Sequence, residues 1–152
     1  MVSYMTPSQR VRVVLDTNVL VAGIRSPEGA SREILHLVSE QVLTPVVSVP
    51  LFTEYESVMK REEFLEKTGL TARDVDAIWE HLLRRSKLQR INFLWRPMLS
   101  DPKDDCILEC AVNGDVASLI TFNKRHFPGI ESFGIMLLTP SELLASGAGR
   151  KK

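Results

Sequence analysis

No stretch of this sequence approaches the roughly 20 consecutive apolar residues that a membrane-crossing helix needs. The first ten residues, MVSYMTPSQR, contain no apolar core of a secretory signal. The expectation is a soluble protein of the cytoplasm that meets no membrane. Cysteine is scarce: only Cys106 and Cys110 occur. Four residues apart in an expected helix, they share a face where a disulfide is awkward. With no paired His or Cys beside them they do not form a zinc site, and they read as reduced, packed thiols. The sequence also lacks a GxxxxGK[ST] phosphate loop and a GxGxxG dinucleotide turn. No serine, cysteine or histidine stands in a recognisable nucleophile context. The three histidines, His36, His81 and His126, are far apart and read as surface residues. An excess of charge is missing too, with 19 basic and 19 acidic residues giving a formal net charge of zero. This argues against a strong non-specific nucleic-acid binder, which usually shows a basic excess. The cations are nonetheless clustered: Lys60-Arg61, the Arg84-Arg85-Lys87-Arg90 group, Lys124-Arg125-His126 and the Arg150-Lys151-Lys152 tail. Each could meet phosphate or simply be a solvated surface.

What is present is the pattern of one α/β domain. At 152 residues the chain can bury a sizeable core. VRVVL at 11–15 is a β-branched run that reads as a buried strand, followed by a turn-rich loop at 25–30. Helical spacing returns at 31–40, and a second apolar strand is expected over 42–49, broken at Pro45. Pro50 opens a helix running to about 61, and a short helix closes at Gly69. Thr71 and Asp74 have the spacing of a capping box for a helix near 72–86. A strand is expected at 88–94, a loop at 96–102, a helix from Asp101-Pro102 to about 112, and strands at 117–122 and 134–138. Thr139-Pro140-Ser141-Glu142 begins a last helix. Alternating strands and helices predict a parallel sheet in an α/β sandwich. A single domain over 11–145 is expected, with 1–10 and 146–152 as loose termini.

In such a sheet, ligands bind beyond the carboxyl ends of the strands. Asp16 stands at one of these ends, directly after VRVVL. It could act in a crevice there or cap a turn with Thr17 and Asn18. Glu54 interrupts the stripe Leu51, Glu54, Tyr55, Val58, where an unpaired carboxylate would be expensive to bury. The alternative is that this stripe lies at the helix edge and the carboxylate reaches water. In DPKDD, Asp101 is a natural N-cap. Asp104 shares a stripe with Ile107, Leu108 and Ala111, whereas Asp105 pairs with Glu109 on a flank. Asp104 is therefore the expected inward acid, with Asp105 in reserve. All three acids could also serve only to start the helix. If Asp16, Glu54 and Asp104 do converge, their mutual repulsion calls for a hard divalent cation. Mg²⁺ or Mn²⁺ suits an all-oxygen donor set and the hydrolysis of a phosphodiester.

Four segments together resemble the PIN-domain family: VRVVLDTNVLVAG, SVPLFTEYESVMKR, DPKDDCILECAV and ASLITFNKRHFPG. More closely, they are similar to bacterial PIN proteins described as toxin components of toxin–antitoxin pairs (VapC-like). The likeness runs from about 11 to 144. It implies a three-layer α/β/α sandwich around a mostly parallel central sheet and an endoribonuclease dependent on Mg²⁺ or Mn²⁺. It also implies an RNA substrate and a cognate antitoxin, and it is compatible with a homodimer. It carries over Asp16, Glu54 and Asp104 as catalytic and metal-holding acids, with Thr17 and Asn18 as polar companions of the first. Many PIN proteins have a fourth acid after the strand matching SLIT; here that position is Asn123, an amide that brings no charge. This departure favours the competing reading, a PIN-fold RNA-binding module that cleaves weakly or not at all. A phosphoryl-transfer protein with a strand-end aspartate is a third reading, although Asn18 stands where a phosphatase of that type needs a second acid.

Overall fold

The computed structural model describes residues 11–92 and 101–147. Strands β1 (Val11–Leu15), β2 (Leu43–Val47), β3 (Lys87–Leu88), β4 (Ser118–Ile120) and β5 (Met136–Leu138) form one sheet in the order β3-β2-β1-β4-β5. Every pairing is parallel. Helices α1 (Thr17–Arg25) and α2 (Ala30–Ser39) join β1 to β2. Helices α3 (Val49–Met59), α4 (Glu62–Thr68) and α5 (Ala72–Arg84) join β2 to β3. Helix α6 (Pro102–Asn113) precedes β4, and α7 (Pro140–Ala145) follows β5. The chain steps toward one edge through β2 and β3, then returns across β1 to β4 and β5. A parallel sheet of this order, joined by right-handed crossovers, carries helices on both faces. The result is a three-layer α/β/α sandwich, as expected.

Covering both faces explains why the central strands are apolar without alternation. Val13, Val14 and Leu15 of β1 and Leu119 and Ile120 of β4 are fully buried. The caps form where the sequence places them. Ser48 accepts from the Leu51 amide at 3.2 Å. Thr71 with Asp74, and Thr139 with Glu142, complete reciprocal capping boxes. Gly69 ends α4 in the left-handed conformation, φ 74°.

Four expectations need correction. Residues 17–25, where the sequence pattern predicts no element, form α1. Its N-cap is Asp16, a residue type that favours this position, although its side chain makes no cap bond and accepts from Thr121 instead. Pro45 does not break its strand. β3 pairs only with Val46 and Val47, so β2 has no β3 partner at the level of Pro45. The strand expected at 88–94 is the two-residue β3, and the residues from 93 to 100, including most of the expected loop, lie outside the described residues, as do 1–10 and 148–152. Asp105 and Glu109 do not lie on a solvated flank: both are buried, as is every residue from Asp104 to Ala111. Helix α6 packs against β1, β2 and α3, so it is enclosed on most sides and periodicity cannot separate an inner from an outer face. Both cysteines are buried thiols outside any disulfide, as expected. Cys110 donates to the Val46 carbonyl at 3.5 Å.

Candidate metal centre

The direction of the chain reverses between β1 and β4, and parallel sheets of this kind open a crevice at such a point. Asp16 follows β1 and its amide donates to the Ile120 carbonyl of β4 at 2.9 Å, so the acid sits across the two strand ends. Asn123 follows β4 on the same rim. Helices α1 and α6 both begin here, and the positive ends of their dipoles favour negative groups in the crevice.

The cleft at this position has a volume of about 320 Å³. Asp16, Thr17, Asn18, Glu54, Asp104 and Asn123 all line it. Residues drawn from four segments of chain thus meet in one place. Asp105 does not line it. Lys103, His126 and the N-cap Asp101 also border the cleft, and Val21 and Val58 supply apolar wall.

Each acid is held differently. Asp16 is 6% exposed and accepts from the Thr121 hydroxyl at 2.6 Å. Thr121 Oγ1 in turn accepts from the backbone N–H of Asn123 at 3.0 Å, which couples the first acid to the turn after β4. Burial pushes the Asp16 carboxyl above its ordinary range, while the Thr121 bond, the Thr17 and Asn18 amides and the charge of His126 oppose the rise. The fully buried Tyr55 of α3 donates its hydroxyl to the Leu15 carbonyl, immediately before Asp16. Its ring stacks on Trp79 of α5, which meets Phe52 edge-on. This aromatic stack seats α3, and hence Glu54, against the strand end that carries Asp16. Glu54 is half-buried.

Asp104 is pushed up to about 6, first by burial and second by the neighbouring charge of Asp16. The Nδ1 atom of His126 stands 3.4 Å from an Asp104 carboxylate oxygen and partly offsets this. The two aspartates therefore strain against each other in the way a shared cation would relieve. Thr17 Oγ1 and Asn18 Oδ1 are buried here with no hydrogen-bond partner among the described residues, so the lining holds oxygen atoms available to a ligand. The donors are oxygens, as a hard cation requires. Among the described residues, no three His, Cys, Asp or Glu side chains stand close enough to hold one ion directly. Mg²⁺ needs only one or two direct carboxylates and keeps several waters, so the Asp16–Asp104 pair fits such an ion, with Glu54 lining the same cleft.

A family model described as the PIN domain matches residues 12–125. The chain belongs to the PIN-domain family. PIN domains are generally nucleases that use divalent metals. One solved structure with the same fold is the crystal structure of VapBC2 from Rickettsia felis bound to a DNA fragment from their promoter. The likeness covers 84% of this chain and 97% of that chain, at a TM-score of 0.53 and 16% identity. No curated protein matches the chain.

In this PIN domain, two residues that contact the aspartates of the cleft escape sequence reasoning. His126 is exposed, as a surface histidine should be, but the helical turn over Lys124–His126 swings it back over Asp104. Its spacing of three residues from Asn123 is the one available signal. Thr121 lies inside an apolar strand motif, and only the register of β4 beside β1 shows that its hydroxyl faces Asp16.

Proposed function

We propose that the protein is a metal-dependent endoribonuclease, cleaving RNA phosphodiester bonds at the cleft lined by Asp16, Glu54 and Asp104. The observation that carries this reading is the pairing of two buried, mutually repelling aspartates at the crevice of a PIN domain. Asp16 and Asp104 would hold Mg²⁺ or Mn²⁺, with Glu54 acting through the cleft's water and Thr17, Asn18 and Asn123 as supporting donors. When bound, such an ion activates water and steadies the charge that develops on phosphodiester oxygens. Asp16 is fixed by Thr121, so its carboxylate is oriented before any ligand arrives. Lys103 puts positive charge on the rim of the cleft, where a phosphate would approach, and His126 borders the cleft beside Asp104. The amide at Asn123 supplies no fourth charge, which favours a single ion. Asp105 is buried and does not line the cleft, so we assign it no direct contact with the ion.

The toxin role, with a cognate antitoxin as partner, is proposed from the resemblance to VapC-like proteins and from the fold shared with a chain of the VapBC2 complex. The noncleaving RNA-binding reading keeps one supporting observation, the uncharged Asn123. Labelled single-stranded RNA incubated with Mn²⁺ separates the two. The wild type is expected to cleave, chelator to stop it, and Asp16→Asn or Asp104→Asn to lower the rate at least 100-fold. Full activity in either variant, or in chelator, would refute the mechanism. Saturable Mn²⁺ binding without any cleavage would favour the binding module.

A further inference from the structure

The cleft continues beyond its acids. Its apolar wall residues Val21 and Val58 also line a second cavity of about 150 Å³, together with Arg25, Arg61, Glu63 and Lys67. Arg25 and Lys67 in turn line a third groove of about 580 Å³ between α2, α4 and α5. Asn18, Val21 and Arg25 follow one face of α1 at helical spacing, so a single track runs along that helix from the acids into the groove. From Asn18 to Arg25 the helix advances roughly 10 Å.

The charge changes sign along this track. The cleft is lined by Asp16, Glu54, Asp101 and Asp104. In the second cavity three cations face one carboxylate. Lys67 Nζ lies 2.9 Å from Glu63 Oε1, and Arg61 and Arg25 are near enough for their charges to help hold the Glu63 carboxyl below its ordinary range. Arg25, Arg61 and Lys67 are all exposed. The third groove adds Arg32, His36 and His81 and has no acidic side chain in its lining. The net charge of zero thus conceals an acidic cleft and an adjoining basic track.

We infer that Arg25, Arg61 and Lys67 form a phosphate-binding track that carries single-stranded RNA out of the acid cleft along α1. This rests on the cleft being the place where RNA is cut: a strand crossing it must leave along the protein surface, and the adjoining surface is positive. Single strands are held by positively charged grooves that track the backbone. Glu63 competes with phosphate for the three cations.

The test is RNA affinity in chelator, where no metal-dependent cleavage occurs. A fluorescently labelled single-stranded RNA is titrated with the full-length protein and read by anisotropy at several salt concentrations. Arg25→Ala with Arg61→Ala should weaken binding at least tenfold and reduce the salt-dependence slope by about 0.7 for each phosphate that is no longer neutralised. Glu63→Gln should tighten binding. Arg84→Ala on α5, outside all three cavities, should change little. Unchanged affinity in the double variant, with a native circular dichroism spectrum, would overturn the track. So would an equal loss in Arg84→Ala, which would mean diffuse attraction. If the double variant instead loses a protein partner and keeps its RNA affinity, the surface belongs to that partner and the inference is wrong. Cleavage assayed separately distinguishes the two levels. A wild type that cuts RNA while ignoring these residues refutes the track alone. A wild type that binds through them and never cuts refutes the nuclease.

Discussion

At the residue scale the decisive quantity is the discomfort of Asp104. Its carboxyl titrates near 6 in the fold against about 3.8 unfolded, so between these values the native state holds more protons than the unfolded state. Stability of the metal-free protein should therefore fall as pH rises from about 4 to about 6, and Asp16, shifted the same way, adds to the fall. The penalty for Asp104 is at most about 3 kcal/mol. Asp104→Asn should remove it, raising the Tm of the metal-free protein by several degrees at pH 7.5 while abolishing cleavage. Saturating Mn²⁺ should raise the wild-type Tm more at pH 7.5 than at pH 5, where protons compete for the same oxygens. Thermal melts across this pH range check all three statements; a flat profile and an unstabilised variant would show that the two acids do not burden the fold. Asp16 and Asp104 are legible in the sequence because each lies at a position the fold directs inward, a strand end and the first turn of a helix. Asp105 is not separable by stripe alone, because α6 is enclosed and buries its whole length from 104 to 111. His126 is hard to read because it is an exposed histidine in a short turn, whose only signal is its spacing from Asn123.

At the scale of elements, the cleft depends on how α3 meets β1. Tyr55 ties the helix to the Leu15 carbonyl and stacks on Trp79, so α3, α5 and the end of β1 are fixed as a unit. Tyr55→Phe keeps the ring and loses only the hydroxyl. It should cost about 1 kcal/mol of stability in urea unfolding with an unchanged m-value, and it should also lower cleavage through the loosened neighbour of Asp16. A change in m without a change in midpoint would contradict this anchoring role. The helices with ordinary boundary chemistry are readable: Ser48 before Pro50, Thr71 with Asp74, Gly69, and Thr139 with Glu142 all do what their sequence contexts specify. Helix α1 is not, because the residue before it spends its carboxylate on Thr121 and the crevice rather than on a cap. Gly23 gives it a further constraint that only packing reveals: a Cβ there would come within 2.7 Å of Leu35, so the glycine lets α1 lie close against α2.

At the scale of the whole molecule, the order β3-β2-β1-β4-β5 explains why distant parts of the chain meet. The reversal between β1 and β4 opens the crevice, and the two helices that begin beside it, α1 and α6, bring residues 16–18 and 104 to its rim. The parallel sheet can be inferred from alternating strands and helices, but the strand order cannot, and the order is what brings Thr121 to Asp16 and His126 to Asp104. The same architecture divides a neutral chain into an acidic cleft and a basic path, a distribution that net charge conceals.

The most direct measurement is an anomalous difference map from crystals grown or soaked in Mn²⁺. The expected result is a peak in the cleft, about 2.0–2.2 Å from carboxylate oxygens of both Asp16 and Asp104, and no such peak in Asp16→Asn. Saturated crystals whose only manganese lies elsewhere, or whose cleft peak survives the substitution unchanged, would contradict it.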